Sequence, residues 1–583
     1  MTATTSTNAD AVAGVTDPAL RAIVADHWDY TMRWAPTWAT TLGDHRFDRV
    51  LAPQGPDAIE RMHGERDALI ARLAQLAPPA GDADRVTYQL LREQLEADRA
   101  TDVCRFWEWS IAADSQSPFG QVSYLVESHT VTSPRDAENL IARLRQAPQV
   151  FVDDTIANLR RGLAGGRVAP AGKVKRAIEQ LDTELGKPVA AWAMMTPPWA
   201  APPAGAPDPW PAGTRARLVD ELRAVVGEQI RPAMIRYRQV LAADVAPHAR
   251  AGVEGLTGVP DADACYRATI RQHTGLALDP RDLHALGLRE IARTDREIAE
   301  LGQRALGAAS FADTVAKLHG DRAFYFATRE QILDAAQRDL DAAKAAIPRF
   351  FSLLPKADCV MRETPAYEAP YSTIAYYREP HYDGSKPGEY FVNTYKPETR
   401  ARYELQALTW HESIPGHHLQ IAIAQELGAL PLFRKTTGST AFVEGWALYT
   451  EGLAEEMGLY TSDVDRLGRL SFDAWRASRL VVDTGIHALG WTRAQAEAFM
   501  REHTLLTDIN IENEVDRYIG WPGQALAYKV GQLEIQKLRG EAEHALGARF
   551  DLKAFHAVVL GAGAVSLPVL DERVRAWIAT IQK

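Results

Sequence analysis

The sequence predicts a mainly α-helical fold with one small β region. Apolar residues recur at spacings of three and four, as at Leu69, Ile70, Leu73 and Leu76, which is the period of an amphipathic helix. Pro and Gly pairs divide this pattern into separate helices. Only residues 362–395 change to a Tyr-, Thr- and Val-rich texture with Pro-Gly turns, which is typical of short strands.

The composition is that of a soluble globular protein. Of the 583 residues, 46% are hydrophobic, enough to bury a large core, and 24% are charged. The formal net charge is −11 and no basic run could neutralise phosphates, so we expect no nucleic-acid partner. No run reaches the roughly 18 apolar residues that a membrane helix needs. The cysteines, Cys104, Cys265 and Cys359, are far apart, and we expect them to be reduced core residues.

The chain is predicted to form one helical body after a disordered start. Residues 1–16 are small and polar and lack the basic start and apolar core of a signal peptide. Residues 17–583 form the predicted body, with a helical half at 17–355 and a second half at 356–583 that contains the β region at 362–395. These features predict a cytoplasmic protein, or a periplasmic or secreted one if a signal sequence has been removed. The sequence predicts no oligomeric state.

The β region is expected to contain two short strands. Residues 374–378 and 389–395 have the required texture, and the turn that begins at Asp383 would join them. A strand edge beside a catalytic helix can hold an extended peptide through backbone hydrogen bonds, and Asn393 is a candidate substrate contact there. A purely structural hairpin is an equal alternative.

The stretch after this β region carries a candidate metal site. His411 and Glu412 match the start of the His-Glu-x-x-His motif, in which two imidazoles one helical turn apart bind zinc and the Glu is the general base. The place of the second histidine is taken by Pro415. On an unbroken helix, His417 would lie about 120° around from His411, and His418 about 10 Å further along the axis, so neither could share a metal with it.

The pair Pro415 and Gly416 indicates that this helix is interrupted. Proline lacks the N–H that would bond the His411 carbonyl, and glycine accepts unusual backbone angles. A two-residue bulge would bring His417 to the place of the second ligand, and His418 would then make supporting or substrate contacts. His417 is the predicted ligand, and His418 is the other possibility. The alternative is that these are ordinary core histidines.

A third metal ligand is expected on a second apolar helix. Glu444 lies in the first turns of this helix, far enough after Glu412 for an antiparallel return of the chain. A carboxylate on a neighbouring helix completes a three-ligand zinc site with one open position. Glu451, seven residues further on, could hold a ligand imidazole from behind. The alternative for Glu444 is a carboxylate favoured by the helix dipole.

These motifs resemble a known family. His-Glu-Ser-Ile-Pro-Gly-His-His-Leu-Gln from His411, and Phe-Val-Glu-Gly-Trp-Ala-Leu-Tyr around Glu444, resemble the bacterial family catalogued as domain of unknown function 885. That family is similar to the gluzincin zinc peptidases, although Pro415 departs from their pattern. The resemblance implies a large helical peptidase-like body with a deep cleft and a small β-sheet beside the zinc helix. Further matching blocks lie at residues 36–45, 383–394, 483–491 and 517–529.

Later helices add candidates for substrate and oxyanion binding. Successive spacings of three or four put much of one set on one side of a helix: Arg476, Arg479, Asp483 and His487. Near a zinc site, a His and an Arg can stabilise an oxyanion or bind a substrate carboxylate, and a salt-bridged helix face is the alternative. Tyr518 and Tyr528 flank a Pro-Gly break. In the similar peptidases, Tyr donors from a late loop stabilise the oxyanion, but buried Tyr is also common in cores.

Together these patterns predict a zinc-dependent peptidase that acts on short peptides through activated water and a Glu general base. The alternatives are a zinc hydrolase of other amides or esters, and an inactive binding protein, which would not need a general base. The predicted site residues are His411, His417 and Glu444 for Zn²⁺, Glu412, His487, Tyr518 and Tyr528 for catalysis, and Asn393, Arg479 and His418 for substrate binding.

Overall fold

The structure is a computed structural model of the chain, and it describes residues 8–113, 116–201, 208–365, 369, 374–380 and 386–583. It is 71% helical with one small three-stranded sheet, which confirms the predicted mainly α fold. Among the described residues, no helix combines the length and the apolar character needed to cross a membrane.

The chain divides into two compact units. The first comprises Met1–Asp84 and Asp98–Cys265, and the second comprises Arg85–Ala97 and Tyr266–Lys583. The prediction of a single body for residues 17–583 stays a prediction. The first twelve α-helices are α1 Asn8–Ala11, α2 Pro18–Trp34, α3 Pro36–Thr41, α4 Pro56–Ala74, α5 Asp82–Ala100, α6 Pro118–Ser128, α7 Pro134–Leu144, α8 Asp154–Ala164, α9 Ala171–Gly186, α10 Thr214–Val225, α11 Arg231–Val240 and α12 Ala262–Thr274.

The remaining helices belong to the second unit. They are α13 Pro280–Leu306, α14 Phe311–Gly320, α15 Arg329–Ala346, α16 Arg402–Glu412, α17 His417–Glu426, α18 Leu432–Thr436, α19 Thr440–Glu456, α20 Asp463–Ala488, α21 Arg493–His503, α22 Asp508–Gly520, α23 Leu526–Leu546, α24 Leu552–Leu560 and α25 Leu567–Gln582.

The start of the chain differs from its prediction. Residues 8–16 were expected to be disordered, but α1 forms there and Val12 and Val15 are buried. The Thr16 hydroxyl donates a hydrogen bond of 2.6 Å to Asp84, and the backbone N–H of Asp17 donates one of 2.8 Å to the same carboxylate. The carboxylate that fixes this stretch lies far along the sequence, so local composition could not reveal it.

The prediction that all three cysteines are reduced is wrong for two of them. Cys104 and Cys265 form a disulfide, although they are 161 positions apart in sequence. Cys359 is buried and free. A disulfide requires the two Cα atoms to lie within about 7 Å, and only the folded chain brings these two residues that close.

The small sheet contains the two predicted strands and one more. The strand order is β1-β3-β2, where β1 is Cys359–Glu363, β2 is Ala375–Arg378 and β3 is Gly388–Val392. β3 pairs in parallel with β1, which was not predicted, and antiparallel with β2. The turn at Asp383 lies outside the described residues. The hydroxyls of Tyr390 in β3 and Thr409 in α16 are 3.0 Å apart and hydrogen-bonded, so the sheet packs against α16.

Two glycines let α19 pack closely against α23. A Cβ added to Gly445 would overlap the backbone of Gly531, and a Cβ on Gly531 would overlap the carbonyl of Ala441. Side chains at these positions would push the two helices apart. The close approach places Glu444 of α19 beside the start of α23, which carries Tyr528.

Candidate metal centre

The predicted helix interruption is confirmed. α16 ends at Glu412 and α17 begins at His417. Ser413 still donates its N–H to the Thr409 carbonyl at 2.8 Å, but the N–H of His418 turns back to the Ser413 carbonyl at 2.9 Å. The indole N–H of Trp446 donates to the Pro415 carbonyl at 3.0 Å and holds the connection from the α19 side.

Gly416 is required by the close return of this connection. A Cβ at this position would overlap the carbonyl oxygens of His411 and Trp410 at the end of α16. Any side chain would therefore force α17 away from α16. The Pro-Gly pair thus interrupts the helix and also allows the chain to fold back tightly enough for His417 to approach His411.

The interruption brings His411, His417 and Glu444 together. Glu444 Oε2 is 3.8 Å from His411 Nε2 and 3.6 Å from His417 Nε2. One ligand atom from each of the three residues lies within 4.8 Å of the others. Ligand atoms around tetrahedral zinc, each about 2.1 Å from the metal, are about 3.4 Å apart. The observed spacing is slightly wider than this and would contract around an ion.

The donor set also has the chemistry of a catalytic zinc site. Two imidazoles and one carboxylate leave a fourth position for water. The exposed fraction of the side chain is 4% for His411, 12% for His417 and 19% for Glu444. The His411 side of the group is therefore buried, and the Glu444 side is partly accessible to solvent. These three residues fit a metal ion that a substrate can reach.

His418 lies outside this group. Its Nδ1 is 2.9 Å from the Tyr377 hydroxyl and its Nε2 is 3.1 Å from the Ala357 carbonyl, so both ring nitrogens are occupied. Burial lowers the pKa of this imidazole to about 4. His418 holds the sheet against α17, and the structure brings His417 rather than His418 to His411.

Glu451 supports His411 on the side away from Glu444, and Arg476 lies beside Glu451. His411 Nδ1 is 2.8 Å from Glu451 Oε1, which leaves its Nε2 directed at Glu444. Arg476 Nη2 is 3.7 Å from the same Glu451 oxygen. Burial, together with the nearby positive charges of His417 and Arg476, lowers the pKa of His411 well below its usual value. The imidazole is therefore neutral, as a metal ligand must be.

Glu412 lies between the metal ligands and the outer edge of the sheet. Its carboxylate accepts a hydrogen bond from the backbone N–H of Tyr377 in β2. Burial, followed by the charge of Glu444, raises its pKa to about 8. β2 is a terminal strand of the sheet, and an N–H that reaches Glu412 faces away from β3. Within the described part of the chain, no further strand pairs with this edge of β2, and the edge faces the candidate general base.

The two tyrosines predicted for oxyanion binding differ in their surroundings. The Tyr518 hydroxyl donates to Glu514 at 2.6 Å and accepts from Arg479 Nε at 3.0 Å. The Tyr518 proton is therefore used in the bond to Glu514 and is not free for an oxyanion. Burial raises the pKa of Tyr528, and the charge of Glu444 raises it further. The Arg479 guanidinium lies 4.2 Å above the Tyr528 ring.

His487 and Asn393 make contacts that support the fold. His487 Nε2 is 3.0 Å from the Tyr518 carbonyl. The Asn393 amide donates to the Ala369 carbonyl at 2.8 Å and accepts from the Tyr395 N–H at 2.9 Å. Asn393 also lines a small cavity of about 40 Å³ along the first part of α16. Their predicted roles in catalysis and substrate binding stay predictions.

The family follows from the sequence match over nearly the whole chain. Residues 36–574 match the family described as "Bacterial protein of unknown function (DUF885)". The chain belongs to this family. No curated protein matches the sequence.

Two solved structures are similar to this DUF885 chain. One is a "putative lipoprotein" from Colwellia psychrerythraea, with 25% identity, a TM-score of 0.88 and coverage of 96% of this chain and 99% of that chain. The other is a "putative lipoprotein of unknown function" from Shewanella oneidensis, with 20% identity, a TM-score of 0.73 and coverage of 95% and 98%. The second likeness concerns the fold alone.

Tyr377 was not predicted as a residue of the site, and Arg476 was placed on a candidate helix face without a role of its own. Tyr377 supplies a backbone N–H to Glu412 and a hydroxyl to His418. Arg476 stands beside Glu451. The available signal for Arg476 was its spacing of three from Arg479, which puts both on one face of α20. No sequence signal indicates which backbone amide of a strand faces a carboxylate.

Proposed function

We propose that this chain is a zinc-dependent hydrolase that cleaves peptide bonds. The observation that carries this proposal is the convergence of His411, His417 and Glu444 at spacings suited to tetrahedral zinc, with Glu412 next to them. Zinc held there would polarise the scissile carbonyl and lower the pKa of a coordinated water to about 7.

Glu412 is the proposed general base. It accepts a proton from the attacking water as the water oxygen adds to the carbonyl carbon. When the C–N bond breaks, Glu412 donates that proton to the leaving nitrogen. Its buried position beside Glu444 suits this exchange, because burial raises the pKa of the carboxyl from that of an exposed Glu toward the range in which it can both accept and donate a proton.

Tyr528 is the proposed donor to the oxyanion that forms on the carbonyl oxygen. Its hydroxyl lies within electrostatic reach of Glu444, and its ring is packed under Arg479. The Tyr518 proton is donated to Glu514, so Tyr518 instead positions the Arg479 side chain. Among the three predicted oxyanion residues, the observed contacts favour Tyr528.

The edge of β2 favours a peptide substrate. An extended peptide could pair with this edge of β2 next to Tyr377, which no described strand occupies, and its scissile carbonyl would then lie close to Glu412. Esters and isolated amides lack the backbone groups for such pairing. A binding protein without activity would not require a carboxylate at this position, so hydrolysis is the better-supported function.

We also propose that the protein works outside the cytoplasm, in place of the cytoplasmic location predicted from the sequence. The Cys104–Cys265 disulfide supports this proposal, since disulfides persist in oxidising compartments and are rare in the cytosol. The similar structure from Colwellia psychrerythraea is described as a "putative lipoprotein", which agrees with it.

Cleavage of a diverse peptide mixture, followed by mass spectrometry, tests the proposed function. The zinc-loaded protein should cleave a subset of peptides, and a chelator or the Glu412→Gln change should remove most of the turnover. The glutamine keeps the shape of the side chain and cannot accept the proton. Cleavage at an unchanged rate in Glu412→Gln would show that the assigned mechanism is wrong.

A further inference from the structure

Arg476 carries buried N–H groups that the protein leaves without an acceptor. Its side chain is only 5% exposed and is packed against the rings of Phe472 and Trp475 at 4.5 and 4.3 Å. Among the described residues, Nε and Nη1 have no hydrogen-bond partner. Its nearest carboxylate is Glu451, at 3.7 Å from Nη2, which is beyond hydrogen-bond distance. A buried cation with so few partners is costly unless a ligand supplies an anion.

Arg479, one turn further along α20, also has an unused N–H group. Its Nε donates to Tyr518 at 3.0 Å and its Nη2 to Glu514 at 3.0 Å. Nη1 is buried and has no partner within the described part of the chain. The side chain is fixed by these two bonds and by its packing on Tyr528, so the free N–H is held in a defined direction.

Arg476 and Arg479 keep unused N–H groups although carboxylates lie around them. Glu514 accepts from both Arg479 and Arg517, and Glu451 lies beside Arg476 beyond hydrogen-bond distance. An anionic group of a substrate could accept from these N–H groups in a water-poor setting where such a contact is strong.

Arg476 lies next to the candidate metal centre. Glu451 contacts both Arg476 and the ligand His411, at 3.7 and 2.8 Å. A substrate group bound at Arg476 could therefore belong to the same molecule whose amide bond lies at Glu412.

We propose that Arg476, assisted by Arg479, binds a carboxylate group of the substrate. This inference rests on the proposed peptidase function and adds the chemical class of the substrate to it. Every unmodified peptide has such a group at its C-terminus, close to one peptide bond, so the site would direct cleavage toward the C-terminal end. An acidic side chain carries the same group.

Binding measurements on the zinc-loaded Glu412→Gln protein test the inference without turnover. The probes are one short peptide as the free acid, the same peptide with an amidated C-terminus, and the amidated peptide with an internal Gln replaced by Glu. We expect the free acid to bind at least about 10-fold more tightly than the amide, the range of a charge-assisted hydrogen bond. If the internal Glu restores tight binding, the recognised carboxylate is that of a side chain. Equal affinities for all three peptides would overturn the proposal.

Arginine variants test whether the preference for the free-acid peptide depends on Arg476. Adding Arg476→Gln should reduce the preference to less than about 3-fold while zinc content stays unchanged, since Arg476 is not a metal ligand. Arg476→Lys, which keeps the charge, should retain part of the preference. Arg466→Gln is the matched control, because Arg466 lies on α20 and is paired with Glu455 at 2.7 Å. A preference that persists in folded Arg476→Gln protein would contradict the proposal.

The two proposals can fail separately. If the wild type cleaves the free acid and the amide at equal rates and Glu412→Gln abolishes both, the peptidase function stands and the carboxylate site does not. If the wild type cleaves none of the peptides, the Arg476-dependent difference in binding still decides the inference.

Discussion

The carbonyl oxygen of His411 occupies the space that a Cβ on Gly416 would need. This contact links the last turn of α16 to the start of α17, and through it the first proposed ligand to the second. The irregular connection between the two histidines is therefore part of the site. Its geometry leads to the first prediction.

Gly416→Ala should displace α17 from α16 and separate His417 from His411. We expect zinc affinity to fall by at least about 10-fold, because a tetrahedral site tolerates ligand distances only within about 0.2 Å. Competition with a zinc-binding dye measures this affinity. Gly540→Ala is the matched control, since Gly540 is an exposed position in α23 with open space around its Cα. Wild-type affinity in Gly416→Ala would refute the role of the tight connection.

The two neighbouring histidines should respond differently to replacement. His417→Ala should abolish zinc binding, whereas His418→Ala should leave about one zinc per chain. The reason is that His418 has both nitrogens occupied by Tyr377 and Ala357. Metal analysis of the two purified variants distinguishes them. Loss of zinc from His418→Ala with retention in His417→Ala would reverse the ligand assignment.

Glu451→Gln should weaken zinc binding without removing a ligand. The carboxylate orients the His411 ring through Nδ1 at 2.8 Å, and loss of such a supporting partner typically costs about 10–100-fold in metal affinity. Glu455→Gln, four residues along α19, is the control, because Glu455 pairs with Arg466. Equal zinc affinities for the two variants would show that Glu451 does not support the ligand.

His556 should make the protein less stable in mild acid. Burial lowers the pKa of its imidazole to about 4, while the ring is held by Tyr449 and the Phe350 carbonyl, each at 2.9 Å. The unfolded chain, with a pKa near 6.5, binds the proton more readily, so stability is lost as pH falls from about 6.5 to about 4. The full shift corresponds to roughly 3 kcal/mol.

His556→Gln removes this titration and should flatten the dependence on pH. The measurement is the free energy of denaturant unfolding for wild type and variant between pH 7 and pH 4. His27 and His273 have similarly lowered pKa values, so the wild-type slope contains their contributions and only the difference between the two proteins reports on His556. Parallel curves would contradict the prediction.

The sequence was most informative where the structure depends on neighbouring residues. Pro415 and Gly416 predict the helix interruption, because the missing N–H of proline and the missing Cβ of glycine act within one turn. The approach of His417 to His411 then follows from helix geometry. The position of Glu444 could be predicted for a similar reason, because an antiparallel second helix of suitable length places it opposite α16.

The features that the sequence did not reveal depend on distant parts of the chain. The Cys104–Cys265 disulfide and the anchoring of Thr16 by Asp84 join residues that only the fold brings together. β1 is short, and its parallel pairing with β3 leaves no hairpin signal. Two N–H groups of Arg476 are unused because no described side chain or carbonyl accepts from them. Spacing along a helix cannot show this.

The metal content of the freshly purified protein tests the central claim most directly. Elemental analysis should find about one zinc per chain in the wild type and in Glu412→Gln, and none in His411→Ala or Glu444→Ala, because only the last two lose a ligand. A wild-type protein without any transition metal, even after incubation with zinc, would contradict the account. So would a zinc content that is unchanged when His411 or Glu444 is replaced.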